Sequence, residues 1–138
     1  MPNESIEHSL LVEDGANYIR KKYSGITTLS TDDRAHLGSE KLLPYLGCQP
    51  DVVCRLSDDS LIIGEAKTEA DTLRKHSKLQ YLAYLEYLAR QSHPGILIVF
   101  CSWKRAVSLE DYLRGLAAKM PPSDVQWCVV SDAEMAKI

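Results

Sequence analysis

Two strand-like segments in the centre of the chain set the frame for the fold. Residues 50–56 (PDVVCRL) and 61–67 (LIIGEAK) are rich in β-branched and other apolar residues. The polar stretch 57–60 (SDDS) between them favours a tight turn. Together they predict an antiparallel β-hairpin whose second strand is buried.

Helices alternate with strands along the rest of the chain. Hydrophobic periodicity, cap residues and proline stops predict three helices, over 5–22, 72–91 and 108–121. Apolar and β-branched runs predict three more strands, over 25–30, 96–101 and 125–130. Residues 31–41 are expected to form a loop with some helix. This order predicts a single α/β domain over residues 1–138, with a mixed sheet of four to five strands flanked by helices.

The long predicted helix carries leucines on one side and tyrosines beside them. Its apolar side consists of Leu79, Leu82, Leu85, Leu88 and Ala89. Tyr81 and Tyr87 are expected at the margin of that side, with their rings half buried and their hydroxyls in water.

The charge balance argues against a nonspecific DNA coat. Sixteen Lys and Arg against 19 Asp and Glu give a net charge of -3 and a pI near 5.8. The overall field therefore does not attract nucleic acid. An acidic chain can still act on nucleic acid, because acids that hold divalent cations are neutralised and a local basic face still binds phosphates.

Neither a membrane span nor a disulfide framework is expected. The longest apolar run, 95–101, is far shorter than the roughly 20 residues that a membrane helix needs. The first residues lack a basic stretch leading into an apolar one, which favours a cytoplasmic location. Cys48, Cys54, Cys101 and Cys128 are scattered without a C-x-x-C pair, which favours reduced, buried thiols.

Three charged residues of the hairpin have the pattern of a metal-assisted hydrolytic site. Glu65 and Lys67 are two apart on a predicted strand, so their side chains leave the same face. Asp51 begins the neighbouring strand, and adjacent carboxylates repel unless a cation or proton lies between them. Mg²⁺ or Mn²⁺ suits Asp51 and Glu65 as ligands, and Lys67 is placed to offset charge during phosphodiester hydrolysis.

This pattern resembles the P-D…(D/E)-x-K signature of the restriction-endonuclease-like, or PD-(D/E)XK, nucleases. The match consists of Pro50-Asp51, thirteen intervening residues and Glu65-Ala66-Lys67. The resemblance implies a three-layer α/β/α sandwich and a nuclease that acts on DNA with Mg²⁺ or Mn²⁺. It also implies that Asp51, Glu65 and Lys67 form the catalytic core.

Two further elements are similar to branches of that superfamily. The sequence QYLAY, from Gln80 to Tyr84, is similar to the Q-x-x-x-Y element of RecB-like members. This implies that Gln80 and Tyr84, one helical turn apart, both face the nuclease site. The sequence EDGANYI, which starts at Glu13, is similar to the first helix of Holliday-junction-resolvase-like members. This implies that Glu13 is a further metal-site acid, with Glu7 as the competing choice.

The length of the hairpin loop determines whether the two acids share a face. A two-residue loop (58–59) turns Asp51 to the face opposite Glu65. A three-residue loop (58–60), or a bulge, puts Asp51 opposite Lys67 and on the face of Glu65. We therefore predict a three-residue loop or a bulge.

Basic residues near the predicted site are candidates for contacts with nucleic-acid phosphate. They are Arg74, Lys75, Lys78 and Lys104. Lys104 lies between Trp103 and Arg105, a combination able to form a stacking and phosphate-binding rim. Charge runs are more often solvated surface, so both interpretations stay open.

The sequence as a whole predicts a divalent-metal-dependent nuclease acting on DNA. The alternative is a catalytically silent module of the same fold that binds nucleic acid or a protein partner. A chain this short needs help to cut both strands of a duplex, so a homodimer or an accessory recognition subunit is a further expectation.

Overall fold

The computed structural model describes residues 5–31 and 49–137. The α-helices in these ranges are α1 (Ile6–Lys22), α2 (Lys75–Ala89), α3 (Trp103–Ala118) and α4 (Asp132–Met135). The strands are β1 (Ile26–Thr31), β2 (Val52–Leu56), β3 (Leu61–Lys67), β4 (Gly95–Cys101) and β5 (Gln126–Ser131), and a 3₁₀ helix (Glu69–Asp71) follows β3. None of these helices combines the length and the apolarity needed to cross a bilayer. Apart from its first residue, the predicted loop 31–41 lies outside the described ranges.

The five strands form one mixed sheet in the order β1-β2-β3-β4-β5. β2 is antiparallel to both β1 and β3, whereas β3, β4 and β5 are mutually parallel. α2 and α3 are the crossovers that parallel strands require. The start of β2 and the ends of β3, β4 and β5 therefore lie along the same edge of the sheet. These observations confirm the predicted α/β class with a mixed sheet.

Helices cover both faces of the central strands. Odd-numbered residues of β3 and β4, such as Ile63 and Val99, belong to a core that includes α2 and α3. Even-numbered residues, such as Ile62 and Phe100, belong to a core that includes α1. Successive strand side chains point to opposite faces, so side chains that point to the α2 side come from odd positions.

α1 approaches the sheet closely at Gly15. A Cβ at this position would lie 2.6 Å from the ring of Phe100, so a larger residue would push helix and strand apart. Tyr18, nearly one turn later, packs edge-on against the same ring with centroids 6.1 Å apart. Gly15 weakens the isolated helix but allows this contact, which fixes the side of α1 that faces the sheet.

The predicted start of the third helix at Ser108 is wrong. α3 begins at Trp103, because Ser102 is its N-cap and accepts a hydrogen bond from the backbone N–H of Lys104 at 3.3 Å. The first turn of α3 therefore follows directly after β4 and lies at the same sheet edge as the end of β3.

The prediction that Tyr81 and Tyr87 are half buried, with their hydroxyls in water, is also wrong. Tyr81 and Tyr87 are buried, with 0% and 3% of their surface exposed, whereas Leu79 is 37% exposed. The hydroxyl of Tyr81 is not in water but donates to the backbone carbonyl of Thr72 at 2.7 Å. Because this hydrogen bond satisfies the hydroxyl, the ring can be completely buried without leaving an unpaired polar group.

Cys54, Cys101 and Cys128 are free thiols in the described part of the chain. Cys54 and Cys101 are buried and Cys128 is half-buried. Burial raises the pKa of Cys54 to about 11 and that of Cys101 to about 12, so neither forms a reactive thiolate at neutral pH. Cys48 lies outside the described residues.

Candidate active site

The charged residues of the hairpin lie where β2 begins and β3 ends. Glu65 and Lys67 occupy odd positions of β3, and their side chains point toward α2. Glu65 is 3% exposed and Lys67 is 8% exposed. Charged groups are seldom buried this deeply without partners, so the contacts of Glu65 and Lys67 identify the groups that compensate their charges.

Glu65, Lys67, Gln80 and Tyr84 form one buried network. The Tyr84 hydroxyl donates to Oε1 of Glu65 at 3.0 Å. The Lys67 ammonium lies 3.3 Å from Oε2 of Glu65 and also donates to Oε1 of Gln80. The structure thus brings together four of the residues that the sequence patterns singled out. It does so because strand and helix periodicity turn both pairs toward each other.

The charge on Glu65 is costly in this environment. Burial is the main cause that raises its pKa, and the neighbouring Asp51 carboxylate raises it further, whereas Lys67 and Tyr84 lower it. The resulting pKa is about 8. Ionisation of the metal-free carboxyl is therefore disfavoured, and a bound cation would favour the ionised form.

The hairpin loop has the odd length that the site requires. The backbone N–H of Leu56 donates to the carbonyl of Ser60 at 3.0 Å, which leaves the three-residue loop 57–59. Asp59 adopts the left-handed region with φ 68°, a conformation that Asp tolerates in turns. The predicted loop length is confirmed, but its predicted position at 58–60 is wrong.

The position of the loop changes the partner of Asp51. Val52 pairs with Gly64, so continuing the register by one residue places Asp51 opposite Glu65 rather than opposite Lys67. The two acids are therefore nearest neighbours across the β2/β3 pair. This arrangement is closer than the predicted one and accounts for the effect of Asp51 on the pKa of Glu65.

Asp51 directly precedes β2, and its carboxylate lies at the rim of the sheet. Oδ2 accepts a hydrogen bond from the backbone N–H of Ala66 at 2.9 Å and lies 3.3 Å from Nε2 of His8 on α1. Backbone N–H groups of a strand lie in the sheet plane, so this carboxylate sits between the two faces. Both contacts use Oδ2, which leaves Oδ1 without a hydrogen-bond donor in the described part of the chain.

The α1 residue that contacts the site is His8. It lies one turn before Val12 and shares the buried side of the helix. Glu13 and Glu7 are exposed, and neither is paired with Asp51 in the described structure. The only sequence signal for His8 is its spacing from the apolar residues of α1, a pattern too common to identify a site residue by itself.

The predicted phosphate-binding residues occupy different surroundings. Arg74 and Lys75 are exposed at the start of α2, and Arg74 lies 3.3 Å from Asp71 in an ion pair. Lys78 is half-buried, with its ammonium 5.1 Å from the centre of a tyrosine ring of α3. Lys104 is exposed on the first turn of α3, the element that follows the strand next to β3.

The available donors suit a hard divalent cation better than zinc. Within residues 5–31 and 49–137, no three or more His, Cys, Asp or Glu side chains are grouped to hold a metal. Mg²⁺, however, is commonly bound by one or two carboxylates together with water and phosphate oxygens. Asp51 and Glu65 meet that requirement, and both burial and the neighbouring Asp51 carboxylate raise the pKa of Glu65.

Comparison with protein-family models, with curated proteins and with solved structures finds no match for this chain. The buried network and its neighbouring acid are therefore the basis for a functional assignment.

Proposed function

We propose that this protein is a divalent-metal-dependent nuclease that hydrolyses DNA phosphodiester bonds on a restriction-endonuclease-like α/β/α sandwich. The observation that carries the proposal is the buried carboxylate of Glu65, held by Tyr84 and Lys67 next to a second carboxylate, Asp51. Two acids side by side repel each other unless a cation joins them or one of them keeps a proton. A buried acid whose pKa is shifted by desolvation and by a specific charged neighbour is a candidate functional residue.

Asp51 and Glu65 are the residues that would hold Mg²⁺ or Mn²⁺. The cation, when bound, supplies charge neutralisation at the phosphate and activation of water. Tyr84 fixes the orientation of Glu65 by donating to Oε1. His8 and the backbone N–H of Ala66 do the same for Asp51 by holding Oδ2, so both acids are oriented before the ligand arrives.

Lys67 is the electrostatic partner in this proposal. Its ammonium is held between Gln80 and Glu65, so it is fixed in position near the two acids. A donor that needs no rearrangement stabilises charge that develops on the scissile phosphate, or orients the attacking water. Gln80 acts through Lys67 and is a positioning residue.

The substrate in this proposal is DNA, and a second polypeptide supports its cleavage. A single site of this size cuts one strand at a time, so cleavage of both strands of a duplex calls for a homodimer or an accessory recognition subunit. The acidic chain, with its net charge of -3, favours local contacts with phosphate over a general electrostatic attraction.

A second candidate is a catalytically silent module of the same fold. The observation that favours it is that both oxygens of Glu65 already have partners, Tyr84 and Lys67. Such a network is satisfied without a cation. In that case the protein binds nucleic acid or a protein partner, and a chelator leaves the binding unchanged.

The decisive experiment is a cleavage assay over several DNA forms, with and without Mg²⁺, on the wild type and on Glu65→Ala and Lys67→Ala. We expect Mg²⁺-dependent cleavage that both substitutions abolish. Asp111→Asn, which alters an exposed acid of α3 paired with Arg114, is the control and keeps activity. Cleavage that persists in both site variants rules the nuclease out, and titration calorimetry without a Mn²⁺ heat supports the silent module.

A further inference from the structure

The first turn of α3 lies beside the candidate site. Lys67, the last residue of β3, pairs with Cys101, the last residue of β4, and neighbouring strands are about 4.8 Å apart. Trp103 follows two residues after Cys101. Arg105 reaches back to the 3₁₀ helix after β3, with its guanidinium 4.0 Å from Glu69. The first turn of α3 and the site therefore lie at the same edge of the sheet.

Trp103 exposes its indole ring on the first turn of α3. It is 61% exposed, and Val107, one turn later on the same side of α3, is 70% exposed. The side of α3 that packs against the sheet carries Leu109 and Leu113 instead, both fully buried. Trp103 thus contributes little to the core, although a large aromatic ring is costly to leave in water.

The backbone that carries the ring is fixed. The N–H of Trp103 donates to Oδ1 of Asp132 at 3.0 Å, and Ser102 caps the helix through the N–H of Lys104. These contacts tie the turn to β4 on one side and to α4 on the other. The ring is presented on a rigid platform, which lowers the entropic cost of binding a partner to it.

A positive charge accompanies the ring. The ammonium of Lys104 lies 6.0 Å from the centre of the Trp103 ring, and no carboxylate pairs with it among the described residues. An exposed indole beside an unpaired ammonium matches the two parts of a nucleotide, a flat base and a phosphate. In a duplex the faces of the bases are covered by their neighbours, so only an unpaired base offers a face to the ring.

We propose that Trp103 and Lys104 form a binding site for an unpaired nucleobase and its adjacent phosphate. The nuclease would then act on DNA that contains a single-stranded segment, an inference that rests on the function proposed above. The base stacks on Trp103, Lys104 contacts the backbone, and the strand continues across the end of β4 toward Lys67 and Glu65.

The test uses a fluorescently labelled single-stranded 20-mer and a blunt duplex of the same sequence, in chelator so that no cleavage occurs. We expect the single strand to bind more tightly. Trp103→Ala weakens that binding by about tenfold or more, and Trp103→Phe restores part of it. Val107→Ala, a change to another exposed apolar residue of the same helix side, leaves binding unchanged.

Two further readouts identify the parts of the site. In the Trp127→Phe background Trp103 is the remaining tryptophan, and the single strand quenches its fluorescence. Lys104→Gln reduces the slope of log K against log salt by about 0.7, the value for one phosphate contact with a single strand.

Equal binding by Trp103→Ala and wild type, or no preference for the single strand over the duplex, overturns the inference. Because binding is measured in chelator, its outcome is independent of catalysis. A protein that binds single strands through Trp103 but cuts no DNA in Mg²⁺ contradicts only the proposed nuclease activity. If Trp103→Ala changes neither single-strand binding in chelator nor the cleavage rate in Mg²⁺, only the stacking site is contradicted.

Discussion

The two acids of the candidate site are neighbours in different surroundings. The side chain of Glu65 is 4% exposed and is held by a tyrosine hydroxyl and a lysine ammonium. The side chain of Asp51 is 16% exposed and is held by the backbone of β3 and by His8. Burial makes the charged form of a carboxylate costly. Glu65 is therefore the acid whose ionisation depends most on what binds, whereas Asp51 is oriented from the α1 side of the sheet.

The largest effect on cleavage is expected from substitutions that remove the charge of either acid and keep its shape. Glu65→Gln and Asp51→Asn should each lower the Mg²⁺-dependent cleavage rate by about 10³-fold or more, because each removes a carboxylate ligand of the cation. The measurement is the initial rate on labelled DNA at saturating Mg²⁺. If only one substitution has this effect, the two acids do not share a cation.

The second prediction concerns the stability of the metal-free protein. The pKa of Glu65 rises from 4.5 to about 8 on folding. Between these values the folded protein holds a proton that the unfolded chain has lost, so this group makes stability fall as pH rises from about 4.5 to about 8. Glu65→Gln mimics the protonated acid and should be more stable than the wild type at pH 9, by up to about 5 kcal/mol, and similar to it at pH 4.

Urea unfolding at pH 4, 6 and 9 in chelator measures this difference. Adding Mg²⁺ to the wild type at pH 9 should recover stability, because the cation favours the ionised carboxylate, whereas Glu65→Gln should gain little. Parallel pH profiles for the two proteins would show that the fold already compensates the charge of Glu65, as the silent-module alternative requires.

The third prediction concerns the partner of Asp51 on α1. Removing the ring in His8→Ala should weaken Mn²⁺ binding by about tenfold, because a residue that orients a metal ligand typically contributes that much. Glu13→Ala, on the exposed side of the same helix, should leave the affinity unchanged. Titration calorimetry measures both. A loss in Glu13→Ala without a loss in His8→Ala would restore the role that the family resemblance assigned to Glu13.

The half of the site on the α2 side is predictable from the sequence because it depends on local periodicity. Residues two apart on a strand point to the same face, so Glu65 and Lys67 lie side by side in any fold that keeps this strand. Residues four apart on a helix lie on the same side, which places Gln80 and Tyr84 together. The mixed sheet also follows from the order of the elements, since parallel strands need helical crossovers.

The half on the α1 side depends on tertiary contacts that no local pattern encodes. Which side of α1 meets the sheet is set by the fit of Gly15 against Phe100, and this contact turns His8 inward and leaves Glu13 exposed. The register of the hairpin depends on which residue accepts a positive φ. Asp59 does so, so the loop lies one residue earlier than predicted. The residue opposite Asp51 on β3 is therefore Glu65 and not Lys67.

The smallest expected effect separates structural from functional hydroxyls on α2. Tyr84→Phe and Tyr81→Phe each remove one buried hydrogen bond, to Glu65 and to the carbonyl of Thr72 respectively. Each should cost about 1 kcal/mol of stability. The Tyr84 hydroxyl also lowers the pKa of Glu65, so Tyr84→Phe should raise that pKa further and weaken cation binding at neutral pH.

Cleavage by Tyr84→Phe should therefore fall a few-fold at pH 7 and recover as the pH rises, because ionisation of Glu65 then no longer limits cation binding. Tyr81→Phe should follow the pH profile of the wild type, since its hydroxyl bonds to backbone and not to the acid. Rates measured from pH 6 to 9 distinguish the two variants. If both keep the wild-type profile, the Tyr84 hydroxyl only fills a hydrogen-bonding requirement of the core, and the pKa of Glu65 is set by burial together with Asp51 and Lys67.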